Sequence, residues 1–169
     1  MAREYAFLMV DYDTPEIIKD IHDKLSDDEI YTEKDEDYGI ERETHVTLVP
    51  CLDNDVDLDE LKDMLEPLDK YKLMLNNISM FTNNEKYDVL KCDASSFILK
   101  NTNKKITDKF PTHSEYKEYN PHVTIAYLKK DIGDKYTKEI LSPLVVLKPK
   151  RFHFSYVDKD GNEKETFFK

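Results

Sequence analysis

Apolar residues crowd the opening stretch "EYAFLMVDYD" too closely for one face of a helix, and the run predicts a buried strand over Tyr5–Asp11. The spacing then changes. In "DTPEIIKDIHDKLSD", Ile17, Ile18, Ile21 and Leu25 fall on one helical stripe, with Pro15 suited to a first turn and Asp13 or Thr14 to a cap. His22 lies beside that stripe and reads as a surface residue. The acidic stretch "DDEIYTEKDEDYGIERE" has neither period and predicts a loop, with a short strand near Ile30. Alternation returns in "THVTLVP", a strand stopped by Pro50. "DVDLDELKDMLEPLDKY" then places Leu58, Leu61, Met64, Leu65 and Leu68 on one side of a second helix.

The second half repeats this texture. "YKLMLNNISMFT" and "KYDVLKCDA" read as two strands, and Phe97, Leu99, Ile106 and Phe110 space a third helix over Ser96–Phe110. A strand in "NPHVTIAYL" precedes a short helix around Tyr136–Leu141. The strand "VVLKPKRFHFSYV", a hairpin turn at "DKDGNE" and a last strand "ETFF" finish the chain. The order is an α+β pattern without a Pro/Ser/Gly linker, so one domain is expected over 1–169, with a hint of duplicated halves.

Composition narrows the use of such a domain. The 169 residues suffice for a sizeable core, and 39% hydrophobic with 11% aromatic residues argue against disorder. A net charge of −11 argues against long RNA or DNA as a partner, because that affinity comes mainly from Lys and Arg on phosphates. A small anionic ligand stays open where a cleft is locally positive. Lys148, Lys150 and Arg151 are a basic cluster, read first as a solvated strand edge. Cys51 and Cys92 form no CxxC pair and read as free thiols of a reducing cytoplasm. "YAFLMV" is too short for a membrane span, so no membrane partner is expected. Oligomeric state is not set by these features.

One motif carries chemistry. With only five histidines, the chain writes "HVTLVP" from His45 and "HVTIAY" from His122. Strand alternation puts His45 and Thr47 on one face and Val46 and Leu48 on the other, and His122, Val123, Thr124 and Ile125 repeat the arrangement. Two such faces on one cleft make an acid–base device for phosphodiesters. One imidazole removes a proton from a ribose hydroxyl or a water, the other protonates the departing oxygen, and the threonine hydroxyls donate to the phosphate oxygens. This scheme needs no metal or other cofactor. A metal site would want a third ligand, and Glu43 alternates with His45 whereas Asn120, at the same offset from His122, is a poor one. With three glycines, the chain has neither a P-loop nor a dinucleotide fingerprint. His113, in "FPTHSEYKEYN", is expected in solvent, and Tyr116 and Tyr119 as part of a lid. His153 and Ser155 are expected to share a strand face.

Two His-x-Thr-aliphatic motifs separated by about half a chain resemble the 2H phosphoesterase superfamily. The resemblance implies an α+β fold of two related lobes, two antiparallel sheets flanking a central cleft with helices outside and one motif from each lobe. Carried over, it implies His45 and His122 as the catalytic pair and Thr47 and Thr124 as phosphate binders. "YGIERETHVTL", "YNPHVTIAYL" and "FHFSYVDKDGNEKETFF" are further similar to a bacteriophage branch, the anti-CBASS nucleases, which destroy cyclic di- and trinucleotide signals of bacterial immunity. That likeness implies a small cyclic oligonucleotide as substrate, the host cytoplasm as location, and Tyr12 as a base-stacking residue. The carboxylate which that branch sets near the base has no match in "KPKRFHFSY". Hydrolysis of 2′,3′-cyclic phosphates or 2′-5′ linkages, and sequestration of a cyclic nucleotide without cleavage, are the alternatives.

Overall fold

The computed structural model describes residues 5–115, 118–138 and 145–169. In chain order these form β1 (Tyr5–Tyr12), α1 (Glu16–Lys24), β2 (His45–Asp53), α2 (Leu58–Asp63), β3 (Leu73–Phe81), β4 (Tyr87–Ser95), α3 (Phe97–Lys109), β5 (His122–Lys129), β6 (Val145–Leu147), β7 (Pro149–Val157) and β8 (Glu163–Phe168). The strands make two antiparallel four-stranded sheets, β2-β1-β7-β8 and β5-β4-β3-β6, in agreement with the expected two-sheet α+β fold. The two His-Val-Thr strands thus occupy equivalent edge positions, β2 in one sheet and β5 in the other. No helix among the described residues is long and apolar enough to cross a membrane.

An edge strand leaves a row of unpaired backbone groups, and each of these edges is covered by chain that follows the other sheet's first strands. The segment after α1 bonds to β5 through Tyr31 N–Tyr127 O (2.9 Å), Tyr127 N–Gly39 O (2.8 Å) and Glu41 N–Ile125 O (3.0 Å). On β2, the Asn103 side chain of α3 donates to Leu48 O at 2.8 Å and His113 N to Cys51 O at 3.0 Å. Helix α1 packs on β5 and α3 on β2, so the two halves interlock.

Several elements depart from the sequence expectation. His22 is buried, not a surface residue, because its Nε2 bonds Ile125 O at 3.0 Å and pins α1 to the β5 edge. Neither Asp13 nor Thr14 caps α1; Thr14 Oγ1 instead meets Thr44 Oγ1 at 2.8 Å. The strand expected near Ile30 is a single bridge to Leu128. Strand β2 runs through Pro50 to Asp53, because an edge strand tolerates a missing N–H and the register skips there, with Cys51 at φ 56°. Helix α2 stops after six residues, since the residue before Pro67 is disfavoured in helix, and a 3₁₀ turn over Leu68–Lys70 follows. Phe97, expected on the buried stripe of α3, is 81% exposed, whereas Leu99 and Ile106 are buried as expected and Thr102 joins them. The helix expected over Tyr136–Leu141 is a 3₁₀ turn at Asp134–Tyr136, and its later part lies outside the described residues. "VVLKPKRFHFSYV" is not one strand. The chain changes sheets at Lys148, where Pro149 begins β7, so Arg151 lies on an inner strand and not on an edge.

Candidate active site

Alternation along β2 and β5 sorts the repeated motif as its sequence requires. Val46, Leu48, Val123 and Ile125 have no exposed surface, while His45, Thr47, His122 and Thr124 are half-buried on the opposite faces. The two strands lie against each other, and the His45 charge acts on His122 across them. Each imidazole is anchored alike: His45 Nδ1 donates to Glu43 O at 2.8 Å and His122 Nδ1 to Asn120 O at 3.0 Å. A carbonyl can only accept, so Nδ1 carries the proton and the neutral ring keeps its lone pair on Nε2. Tyr119 does not behave as a lid residue. Its hydroxyl donates to Thr47 O at 2.9 Å, tying the loop before β5 to β2; Tyr116 lies outside the described residues.

His122 has its pKa held below the ordinary histidine value, chiefly by burial, with the nearby Lys91 and His45 charges adding to the effect. The Asn120 carbonyl and Asp93 oppose this without reversing it. Phe81 meets the His122 ring edge-on at 5.0 Å and is 40% exposed.

Three further residues line the same faces that sequence reasoning did not single out: Asp93, Lys91 and Asp11. Asp93 stands directly opposite His122 and Lys91 opposite Thr124 on β4, while Asp11 stands opposite His45 on β1. Arg151 Nε donates to Asp11 Oδ2 at 2.8 Å, and His153 lies between Asp11 (3.6 Å) and Glu165 (2.9 Å). Burial works against charge on Asp11, but bonds to His153 and Arg151 outweigh it and hold the carboxyl low. The signal was there only as charged residues inside apolar strands, Asp11 after "FLMV" and Lys91 within "DVLKCDA". The pairing that gives them meaning is long-range.

Tyr12 is not brought to this face. It is 2% exposed, and its hydroxyl donates to Tyr71 O at 2.6 Å inside the core, so it offers no stacking surface. His113 is exposed as expected but not isolated, since it stacks on Tyr5 at 4.5 Å and bonds Asp53 at 2.6 Å. His153 and Ser155 share a face, with Ser155 fully buried. Among the described residues no group of three or more His, Cys, Asp or Glu is placed to hold a metal ion.

A family model described as the 2'-5' RNA ligase superfamily matches residues 14–160, a span that takes in both His-Val-Thr strands and the whole of the second sheet but leaves out β1 and β8 of the first. No curated protein matches the chain.

Proposed function

This chain belongs to the 2'-5' RNA ligase superfamily, whose chemistry is that of phosphodiester bonds, and from that premise we propose that it is a metal-independent phosphodiesterase acting on small cyclic oligonucleotides. The observation that carries the reading is the paired anchoring of His45 and His122, each with Nδ1 tied to the carbonyl two residues before it. His122, kept neutral by burial, is the general base. Its Nε2 takes the proton of a ribose 2′-hydroxyl, whose oxygen attacks phosphorus. The bond from phosphorus to the 5′-oxygen breaks, and His45, entering as the imidazolium, gives that oxygen its Nε2 proton. A 2′,3′-cyclic phosphate and a free 5′-hydroxyl result. Thr47 and Thr124 donate to the non-bridging oxygens as charge builds on them. With Tyr12 in the core, Phe81 is the aromatic surface beside His122 on which a base would stack.

Similarity of the motif flanks to the anti-CBASS branch supports cyclic di- and trinucleotide immune signals as substrates and the host cytoplasm as the place of action. The description of the matching family favours, as second reading, hydrolysis of 2′-5′ linkages or 2′,3′-cyclic phosphates at RNA ends. Incubation in EDTA with cyclic di- and trinucleotides, a 2′,3′-cyclic nucleotide and a 2′-5′ dinucleotide, read by mass, tests both. Cleavage of the cyclic oligonucleotides is the expected result. Cleavage confined to the last two substrates would move the assignment to the second reading. Tight binding without cleavage would make the protein a sequestering module.

A further inference from the structure

The repetition first visible in two tetrapeptides continues one strand further into each sheet. Asp11 faces His45 across the β1–β2 ladder, and Asp93 faces His122 across β4–β5. Each carboxylate is bonded to a cation of its own sheet, Asp11 to Arg151 at 2.8 Å and Asp93 to Lys91 at 2.5 Å. Each cation in turn lies over a phenyl ring, Arg151 at 3.9 Å from the centre of Phe167 and Lys91 at 4.4 Å from that of Phe81.

The unit around Lys91 encloses its cation, whereas the other encloses its carboxylate. The Lys91 side chain is 8% exposed, and its Nζ donates to Ser79 Oγ at 2.6 Å as well as to Asp93. Ser79 Oγ donates to the other Asp93 oxygen at 2.9 Å, so a three-membered ring of polar contacts holds the carboxylate. Burial alone would raise the Asp93 carboxyl, but these bonds keep it below the usual carboxylate range. Burying an ammonium costs several kcal/mol, and an apolar residue at this position would serve a merely structural sheet equally well.

We propose that Lys91 and Asp93 are positioning residues for His122, an ion pair that fixes two opposite charges beside its imidazole so that they offset one another and leave the buried ring neutral and able to accept a proton. The inference rests on the reading of His122 as the base. The charged groups facing His122 are Lys91 and Asp93 from β4 and His45 from β2, while Phe81 from β3 contributes an uncharged edge. Lys91 and His45 disfavour the imidazolium and Asp93 favours it, so breaking the pair from either side should move the proton affinity of His122 in opposite directions.

The test is an NMR titration of the five histidines, with the His122 resonance identified by its loss in His122→Ala. Lys91→Met leaves Asp93 uncompensated and should raise the His122 midpoint by roughly one pH unit, whereas Asp93→Asn should lower it by a similar amount. The double variant, neutral again, should return close to the wild-type midpoint. Asp93→Asn keeps one acceptor oxygen, for Lys91, and turns an N–H toward Ser79 Oγ in place of the other, and it carries the test if Lys91→Met does not fold. The acidic limb of the pH–rate profile for cleaved substrate should follow the same order. Midpoints that stay put, or move the same way in both single variants, while His122→Ala is inactive, would overturn the ion-pair inference alone. Turnover persisting in His122→Ala would overturn the proposed function, and with it the catalytic meaning of the pair.

Discussion

The Nδ1 of His45 lies 2.8 Å from the carbonyl oxygen of Glu43, two positions before it in the segment that leads into β2. This contact fixes both the ring's orientation and its tautomer, and the His122–Asn120 contact does the same on the other strand. Proton transfer by a positioned side chain contributes about 10²–10⁴ in rate. His45→Ala and His122→Ala should each lower turnover by about that factor. Both residues are half-buried at the cleft and fill no core position, so thermal unfolding should remain cooperative. A variant of either with near-normal turnover would remove that histidine from the mechanism.

Thr47 and Thr124 sit two residues beyond the histidines on the same faces, and in the proposed reaction they meet only the phosphate. Loss of one donor to a developing oxyanion costs about 10²–10³ in rate at most. Thr47→Val and Thr124→Val should therefore lower kcat by about tenfold to a thousandfold, with a smaller change in KM. A pure KM effect would show that the threonines hold the ground state alone.

Two histidines outside the proposed acid–base pair should shape stability against pH. Burial pushes the His22 pKa below 6.5, so the unfolded chain takes up that proton first and stability falls as pH drops below about 6.5. At His153, burial also works downward, but Asp11 and Glu165 outweigh it and the folded pKa is raised. Its contribution is full below the unfolded value and is lost as pH rises through the raised one. Melting temperatures measured across pH 5 to 9 should show the acid-side fall flattened in His22→Gln and the alkaline-side fall flattened in His153→Gln. Unchanged profiles would sever these groups from the stability of the fold.

How much of this was legible beforehand depends on the range of the interaction. The His-x-Thr faces follow from alternation, a property of neighbours in sequence, and the structure arranges all four residues as the period requires. Tyr12 was misplaced because the same alternation, applied from Asp11, puts it on the core face. A base-stacking role for Tyr12 follows from the resemblance alone, which carries no information about the strand face. His22 looked like a surface residue because nothing near it in sequence reveals the carbonyl of Ile125, over a hundred positions away. The sheet change at Lys148 was missed for a related reason. One apolar run serves two sheets, and only pairing partners from β3 and β1 divide it.

Asp88 is 1% exposed at the start of β4, where it accepts Lys130 Nζ at 2.5 Å and the backbone N–H of Asp131 at 3.0 Å. Asp131 has φ 66°, a conformation uncommon for a residue with a side chain, and the Asp88 contact holds the turn that ends β5. Breaking a buried pair from one side costs about 3–5 kcal/mol. Asp88→Ala should fall toward the lower end of that range, because Lys130 is 29% exposed and retains Thr82 O at 2.9 Å. Urea unfolding measures it, and a loss below about 1 kcal/mol, the worth of an exposed pair, would mean that solvent already reaches the site.

Tyr12 decides between a core residue and a ligand contact. Its hydroxyl is the donor to the backbone carbonyl of Tyr71, whose side-chain hydroxyl separately meets Thr102 Oγ1 at 3.0 Å, so both tyrosines are tied down inside the core. Tyr12→Phe keeps the ring and leaves the Tyr71 carbonyl unpaired, which should lower stability by about 1–3 kcal/mol. Tyr12→Leu should cost more, since it also empties space beneath β1. A stacking residue would show the reverse pattern. Phenylalanine would leave both stability and KM untouched, and leucine would raise KM while the fold kept its strength. Urea unfolding and KM, measured side by side on the two variants, separate these cases, and the burial of Tyr12 commits it to the first.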